Sequence, residues 1–339
     1  MNLRARLSLK VDTEKWPLRK PFRITGYTMI ECEVVVVTLT QDGLIGRGEA
    51  SGVYYRREDV PAMVKSIENV RDSIEAGIDR ETLQNLLPLG GARNAVDCAL
   101  WDLDAKRMGK PAWQLADLDE PRPLLTAHTV GAESPDDMAD WACSYTEAKF
   151  LKLKLTGEAI DADRIRAVRA ARKDVSLAVD ANQGFTRSSL EALLPVLTQA
   201  RVTLVEQPFP IGQEAQLDGM KFPIPIAADE SVQGLKDLSA LVGRFGVINI
   251  KLDKCGGLTE ALAIAREARR LGLDVMVGNM TGTSLAMAPG FLVGQLCQVV
   301  DLDGPLFLRS DRSPGAVFKG GNVWCPDSVW GGTAVASTR

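Results

Sequence analysis

Three acids, Asp180, Glu206 and Asp229, each follow a short apolar run and are separated by 26 and 23 residues. Such spacings match one strand-plus-helix unit, so the three would stand at the ends of successive strands. An all-oxygen set of this kind suits a hard dication such as Mg2+, one per chain, which keeps positions free for water or substrate. Lysines occupy equivalent places. Lys152 and Lys154 flank Leu153, and strand side chains alternate with period two, so both point the same way. Lys251 follows four strands later, across the barrel that these strands would form. Lysine is seldom buried without a reason. Beside a dication and a second ammonium it gives up its proton more readily and can act as a base near neutral pH. A carboxylate held on a dication can take up the charge left when its α-proton departs, as an enediolate. Lysines on two faces of that carbon would remove the proton from one side and return it from the other, which is racemisation or epimerisation.

Other chemistries have less to work with. The chain contains a single histidine, His128, so a His-rich metal site is excluded and a Ser-His-Asp device would have to run through that residue. It lies in a run that reads as a buried strand, where a structural role is expected. The net charge is −4 and no basic block is present to follow a nucleic acid backbone, so a small diffusible substrate is expected, with neither nucleic acid nor membrane as partner. The first twenty residues lack the uninterrupted apolar core of a signal peptide, and no later run has the length to span a bilayer. The six cysteines are scattered with no CxxC pair, which points to reduced thiols in a cytoplasmic protein.

These side chains need a frame to bring them together. From about residue 122, apolar runs at 124–130, 150–155, 175–179, 202–205, 224–228, 247–250, 274–277 and 298–300 alternate with helical patterns such as 161–172, 188–199 and 259–271. Eight strands separated by helices predict an α/β protein with a (β/α)7β-type TIM barrel, whose strand C-termini open onto one mouth. Before residue 122, alternating strands at 33–40 and 44–50 are joined by Gln41-Asp42-Gly43, and helices are predicted over 60–76 and 91–108. Segregated strands and helices indicate an α+β capping domain. The expected division is 1–121 for that domain, 122–309 for the barrel and 310–339 for a Gly-, Pro- and Trp-rich segment returning to the capping domain.

Read in order, Lys152-x-Lys154, Asp180-Ala-Asn182, Val205-Glu206-Gln207-Pro208, Ala228-Asp229-Glu230-Ser231 and Asn249-Ile-Lys251-Leu-Asp-Lys254-x-Gly-Gly257 resemble the enolase superfamily, in its muconate-lactonizing subgroup. The resemblance covers essentially the whole chain. It implies that Asp180, Glu206 and Asp229 bind Mg2+, that Lys154 and Lys251 are the acid/base pair, that Lys152 tunes Lys154, and that Asn182 and Glu230 support the site.

Within the subgroup, Asp301-Leu302-Asp303 after the eighth strand favours the dipeptide epimerases, because two carboxylates on one side of a strand make a seat for a free substrate ammonium. The alternatives are an N-acylamino acid racemase and a lyase or cycloisomerase of the o-succinylbenzoate synthase or muconate type, neither of which needs that seat. A barrel retained only for binding is a further alternative. Members that select a C-terminal glutamate carry an arginine in the loop that closes over the site; here the matching place is Gly26 or Tyr27, with Arg23 nearby. The segment Val53-Tyr54-Tyr55-Arg56-Arg57 either lines the same pocket or is ordinary surface. Tyr27, Arg23 and Tyr54 are therefore candidate substrate contacts, and association into a homo-oligomer is expected.

Overall fold

The computed structural model describes residues 6–333 apart from residue 25, without the side chains of Ile24 and Tyr27. A long antiparallel ribbon, β1 (Ser8–Ile24) and β2 (Tyr27–Gln41), continues into β3 (Leu44–Ala50). The β1–β2 register shifts between Pro17 and Phe22, where proline removes a ladder donor. Alternation gives the ribbon two faces. Val35, Val37 and Leu39 pack into a capping-domain core with Met63, Ile67 and Leu83, while Cys32, Val34 and Val36 face the barrel.

Helix α1 (Val60–Glu68) is capped by Asp59, whose side chain accepts from the Ala62 N–H. The single helix expected over 60–76 is interrupted at Asn69 and Val70, two weak helix formers, and resumes as α2 (Arg71–Glu75). After α3 (Arg80–Leu86) comes α4 (Gly91–Met108), which is buried along most of its length because it lies between the capping sheet and the barrel. Gly46 and Gly48 permit its approach to β3: a β-carbon at Gly48 would stand 2.1 Å from the Ala95 carbonyl oxygen, and one at Gly46 2.2 Å from that of Ala99.

The predicted run 124–130 divides. β4 (Leu124–Leu125) pairs outside the barrel, and β5 (His128–Val130) begins the barrel. Between them the Thr126 N–H donates to Gly321 O and the Ala127 N–H to Val300 O, so the chain changes sheets at this point. The parallel strands then follow in chain order as β6 (Phe150–Lys154), β7 (Ser176–Asp180), β8 (Val202–Glu206), β9 (Ile226–Ala228), β10 (Val247–Ile250), β11 (Asp274–Gly278) and β12 (Val299–Asp301). Ala127 N to Val300 O, 2.9 Å, and Leu302 N to Thr126 Oγ1, 2.9 Å, bring the last strand beside the first. The result is an eight-strand parallel sheet nearly closed as a barrel, beneath an antiparallel cap.

A terminal hairpin, β13 (Val317–Lys319) and β14 (Asn322–Trp324), pairs with β4. The chain around it also reaches the cap: Arg309 N donates to Pro17 O, Trp330 Nε1 to Arg47 O, and Arg312 to both Glu14 and the buried Glu49.

Inside the barrel, Ala127, Phe150, Ala178, Leu204, Ala227, Val247 and Met276 form one apolar plug. Two residues further along the same strands, period two brings Thr129, Lys152, Asp180, Glu206, Asp229 and Asn249 to the same interior side, now as a polar layer. The alternation that fills the barrel therefore also arms its mouth.

Candidate active site

Lys154, Asp180 and Glu206 are directly paired across β6, β7 and β8, so three functional groups share one level of the sheet. Asp229 and Lys251 follow immediately after β9 and β10. The strand order thus places three acids between a lysine on one flank and a lysine on the other. One oxygen from each of Asp180, Glu206 and Asp229 lies within 4.8 Å of the others, and all three residues are buried. Lys154 Nζ donates to Asp180 Oδ2 at 2.6 Å, and Lys251 Nζ donates to Asp229 Oδ2 at 2.6 Å.

The electrostatics show an excess of buried negative charge. Burial, and then the neighbouring Asp180, push Glu206 up to about 7. Burial and Asp229 push Glu230 up to about 8. For Asp180 and Asp229 burial also acts upward, but the adjacent lysines outweigh it and hold both carboxyls below their ordinary range. Lys152 and Lys251 are held well above theirs: burial would lower them, and the surrounding acids more than compensate. Glu230 Oε2 and the Oδ1 atoms of Asn182 and Asn249 are buried without a hydrogen-bond partner. Converging hard oxygen donors, mutual repulsion among them and unpaired oxygens around them fit a divalent cation.

The remaining expected residues take distinct places. Lys152 lies behind Lys154, bonded to Asp301 and within 3.3 Å of Glu206 and 3.6 Å of Asp180. Asn182 Nδ2 donates to Glu230 Oε1 at 3.3 Å. Asp303 accepts from the Thr129 N–H at 2.6 Å, and burial together with Asp301 pushes it up to about 7. Asp301 and Asp303 stand at the barrel seam rather than along the open cavity. Tyr54 does line that cavity, which has a volume of about 530 Å³ and also includes Lys154, Asn182, Asp229, Glu230 and Lys251. Arg23 is directed elsewhere, to Glu133 at 3.2 Å, because β1 carries it to the outer edge. The side chain of Tyr27 lies outside the described residues.

Three residues without an assigned role in the sequence reading hold the acids in place. Asn249 Nδ2 donates to Glu206 Oε1 at 2.7 Å, and Lys254 Nζ donates to Asp229 Oδ1 at 2.6 Å. Gln207 Oε1 accepts from the N–H groups of Asp229 and Ser231, while its Nε2 donates to Phe209 O and Ser231 Oγ. Period two from Lys251 would have found Asn249. Gln207 gives no such signal, because its φ of 35° turns the chain out of the strand.

Residues 6–116 match the family described as mandelate racemase / muconate lactonizing enzyme, N-terminal domain, and residues 137–328 match enolase C-terminal domain-like. An L-Ala-D/L-Glu epimerase of Escherichia coli (strain K12) is 41% identical over 318 residues, spanning 93% of this chain and 99% of that protein. A crystal structure of an enolase family member from Agrobacterium tumefaciens, with homology to dipeptide epimerases and with bound sodium and L-Ala-L-Glu, superposes with a TM-score of 0.93. It is 42% identical and covers 96% of this chain and 100% of its own. A dipeptide epimerase from Methylococcus capsulatus, complexed with Mg and L-Arg-D-Lys, gives a TM-score of 0.88 at 31% identity, covering 95% and 97% of the two chains.

Proposed function

The chain belongs to the enolase superfamily, in its mandelate racemase / muconate lactonizing enzyme branch, and from that premise we propose that it is a Mg2+-dependent dipeptide epimerase. It inverts the C-terminal α-carbon of an L,L/L,D dipeptide by losing the α-proton from one face and gaining a proton on the other. The observation that carries this reading is the run of three buried acids flanked in strand order by Lys154 and Lys251.

Asp180, Glu206 and Asp229 hold the metal in this proposal. Mg2+ bound there stabilises the negative charge that builds on the substrate carboxylate as the α-proton leaves. Lys154 and Lys251 are the two bases, one per epimer: the neutral amine of one takes the α-proton, and the ammonium of the other returns a proton to the opposite face. Lys152 keeps positive charge behind Lys154, and Asn182 and Glu230 fix the rim. Asp301 and Asp303 together seat the substrate ammonium in this proposal; to reach them from the cavity it must displace the Lys152 ammonium from Asp301, while Asp303 keeps the Thr129 N–H. Among the described residues all six cysteines are free, which supports a cytoplasmic location, and no helix is long and apolar enough to cross a membrane.

Incubation with Mg2+ and a panel of dipeptides and N-acetyl amino acids, followed by chiral separation, tests the activity. Inversion at the C-terminal residue of free dipeptides is expected. Faster turnover of N-acetyl amino acids would make the chain an N-acylamino acid racemase, and elimination products would make it a lyase.

A further inference from the structure

The cavity wall above the lysines comes from the capping domain, and its charges are uneven. Glu31, Glu33, Glu58 and Asp59 line it, with Arg57 as the cation among them. The other cations on the cavity surface, Lys154 and Lys251, are engaged by Asp180 and Asp229. Glu31 and Glu33 share Lys15. Arg56, next in the chain, is consumed by Gln233, Lys254 O and Leu89 O. Among the described residues, the Arg57 guanidinium has no such partner.

Its backbone is unusual as well. Arg57 closes the one-turn helix Tyr54–Arg56 with φ 56° and ψ 31°, its N–H donating to Tyr54 O at 3.0 Å. A β-carbon is disfavoured in this left-handed region, and glycine or asparagine would fit with less strain. A long cation kept in that conformation, unpaired and at the lip of the cavity, is the pattern of a residue retained for a ligand.

A dipeptide with an acidic C-terminal residue brings two carboxylates. Its α-carboxylate belongs at the metal, beside the lysines, so its side-chain carboxylate needs a cation at the other end of the cavity. Residues 24–27, Ile-Thr-Gly-Tyr, contain no cation. Arg23 is held by Glu133, and Lys20 lies over the Trp141 ring at 3.0 Å from its centroid. We infer that Arg57 is the specificity-determining residue of the site, pairing its guanidinium with the side-chain carboxylate of a C-terminal glutamate or aspartate. This rests on the dipeptide epimerase reading. A guanidinium fork matches a carboxylate with two parallel hydrogen bonds, whereas the neutral amide leaves part of that fork unpaired among the surrounding acids.

The test uses the Mg2+-loaded full chain and compares kcat and KM on L-Ala-L-Glu and L-Ala-L-Gln for the wild type, Arg57→Gly and Arg57→Lys. Glycine accepts φ 56°, so Arg57→Gly is expected to melt at or above the wild-type temperature. The wild type should favour L-Ala-L-Glu by about 100-fold in kcat/KM, the size of a charge-assisted pair. Arg57→Gly should bring that ratio close to one, mainly through KM, and Arg57→Lys should restore part of it. An unchanged ratio in Arg57→Gly overturns the assignment. So does a wild type that inverts L-Ala-L-Gln or L-Ala-L-Leu better than L-Ala-L-Glu, with the exposed Ile30 and its neighbour Met29 then selecting an apolar side chain; the epimerase reading survives that result. A wild type that inverts no dipeptide at all overturns both.

Discussion

On the barrel side of the cavity, Lys154, Asp180, Glu206, Asp229 and Lys251 are all buried, and each is bonded to a neighbouring side chain. On the capping side, Ile30, Tyr54, Arg57 and Glu58 stand on a strand end and a loop, and Ile30 is 67% exposed. The floor is over-determined: every acid has a lysine, an asparagine or a backbone N–H holding its angle. On the wall, Glu31 and Glu33 share Lys15 and the Tyr55 hydroxyl accepts from Gln233 Nε2, while the Arg57 guanidinium is left available to a ligand. Chemistry that must reproduce one geometry is placed on strand ends, and recognition that must suit one side chain is placed on loops. Changes to the floor should therefore abolish turnover, and changes to the wall should redistribute it among substrates.

The largest effect should come from the floor. Asp229→Asn removes one proposed metal ligand and the carboxylate shared by Lys251 and Lys254. We expect kcat to fall by on the order of 10³ or more. Added Mg2+ should raise the melting temperature of the wild type, because it binds the folded acids, and should raise that of Asp229→Asn far less. Equal stabilisation of both proteins would detach Asp229 from the metal. Tyr54→Phe, on the wall, should change kcat by only a few-fold, roughly the scale of one neutral hydrogen bond.

Next comes the bracket beneath the floor. Gln207→Leu leaves the buried Asp229 N–H unpaired, at about 1–3 kcal/mol, removes the acceptor of the half-buried Ser231 N–H, and frees the loop that aims Asp229. Denaturation should show that loss of stability. Turnover should drop by roughly 10- to 100-fold with KM little changed, as displacement of a positioned group does. A stability loss with no change in kcat would make Gln207 structural only.

Much of the floor was legible in the chain itself. Lys152, Lys154, Asp180, Glu206, Asp229 and Lys251 follow apolar runs at intervals set by β/α units, and period two then fixes which way each side chain points. Helix 91–108 was equally plain, with glycine just beyond its end. The break at Asn69–Val70 was not, because two weak helix formers inside an apolar period are a faint signal, and neither was the division of 124–130, which depends on partners far along the chain, Gly321 and Val300. Gln207 and Lys254 were missed as supports because they lie outside the strands, beyond the reach of period two, whereas Asn249 was within its reach. Arg23 was placed by proximity in sequence, but its strand carries it to Glu133. Arg57 looked like one of two equivalent cations until the fold used Arg56 and left its neighbour facing the cavity.

The last expected effect is one on stability and lies where wall and floor join. Asp253 Oδ1 accepts from the Ser51 and Gly52 N–H groups, and burial pushes its carboxyl up to about 7 despite those bonds. Its folded value is above that of the unfolded chain, so the folded state holds the proton more tightly. Stability from this group is then present at about pH 4 and is lost as pH rises towards about 7. Asp253→Asn keeps an acceptor for both N–H groups. It should flatten that part of the pH–stability curve and exceed the wild type at pH 8 by on the order of 1–3 kcal/mol. Parallel curves for the two proteins would show that Asp253 ionises freely in the fold.

The division of labour between the two lysines is best tested by isotope exchange. L-Ala-L-Glu and L-Ala-D-Glu would be incubated separately in D2O with Mg2+ and either Lys154→Ala or Lys251→Ala, and deuterium at the C-terminal α-carbon followed by mass spectrometry. Each variant should fail to invert either epimer yet still exchange the α-hydrogen of one, and the two variants should retain opposite epimers. If both variants lose exchange from both epimers alike, Lys154 and Lys251 do not work from opposite faces of the α-carbon.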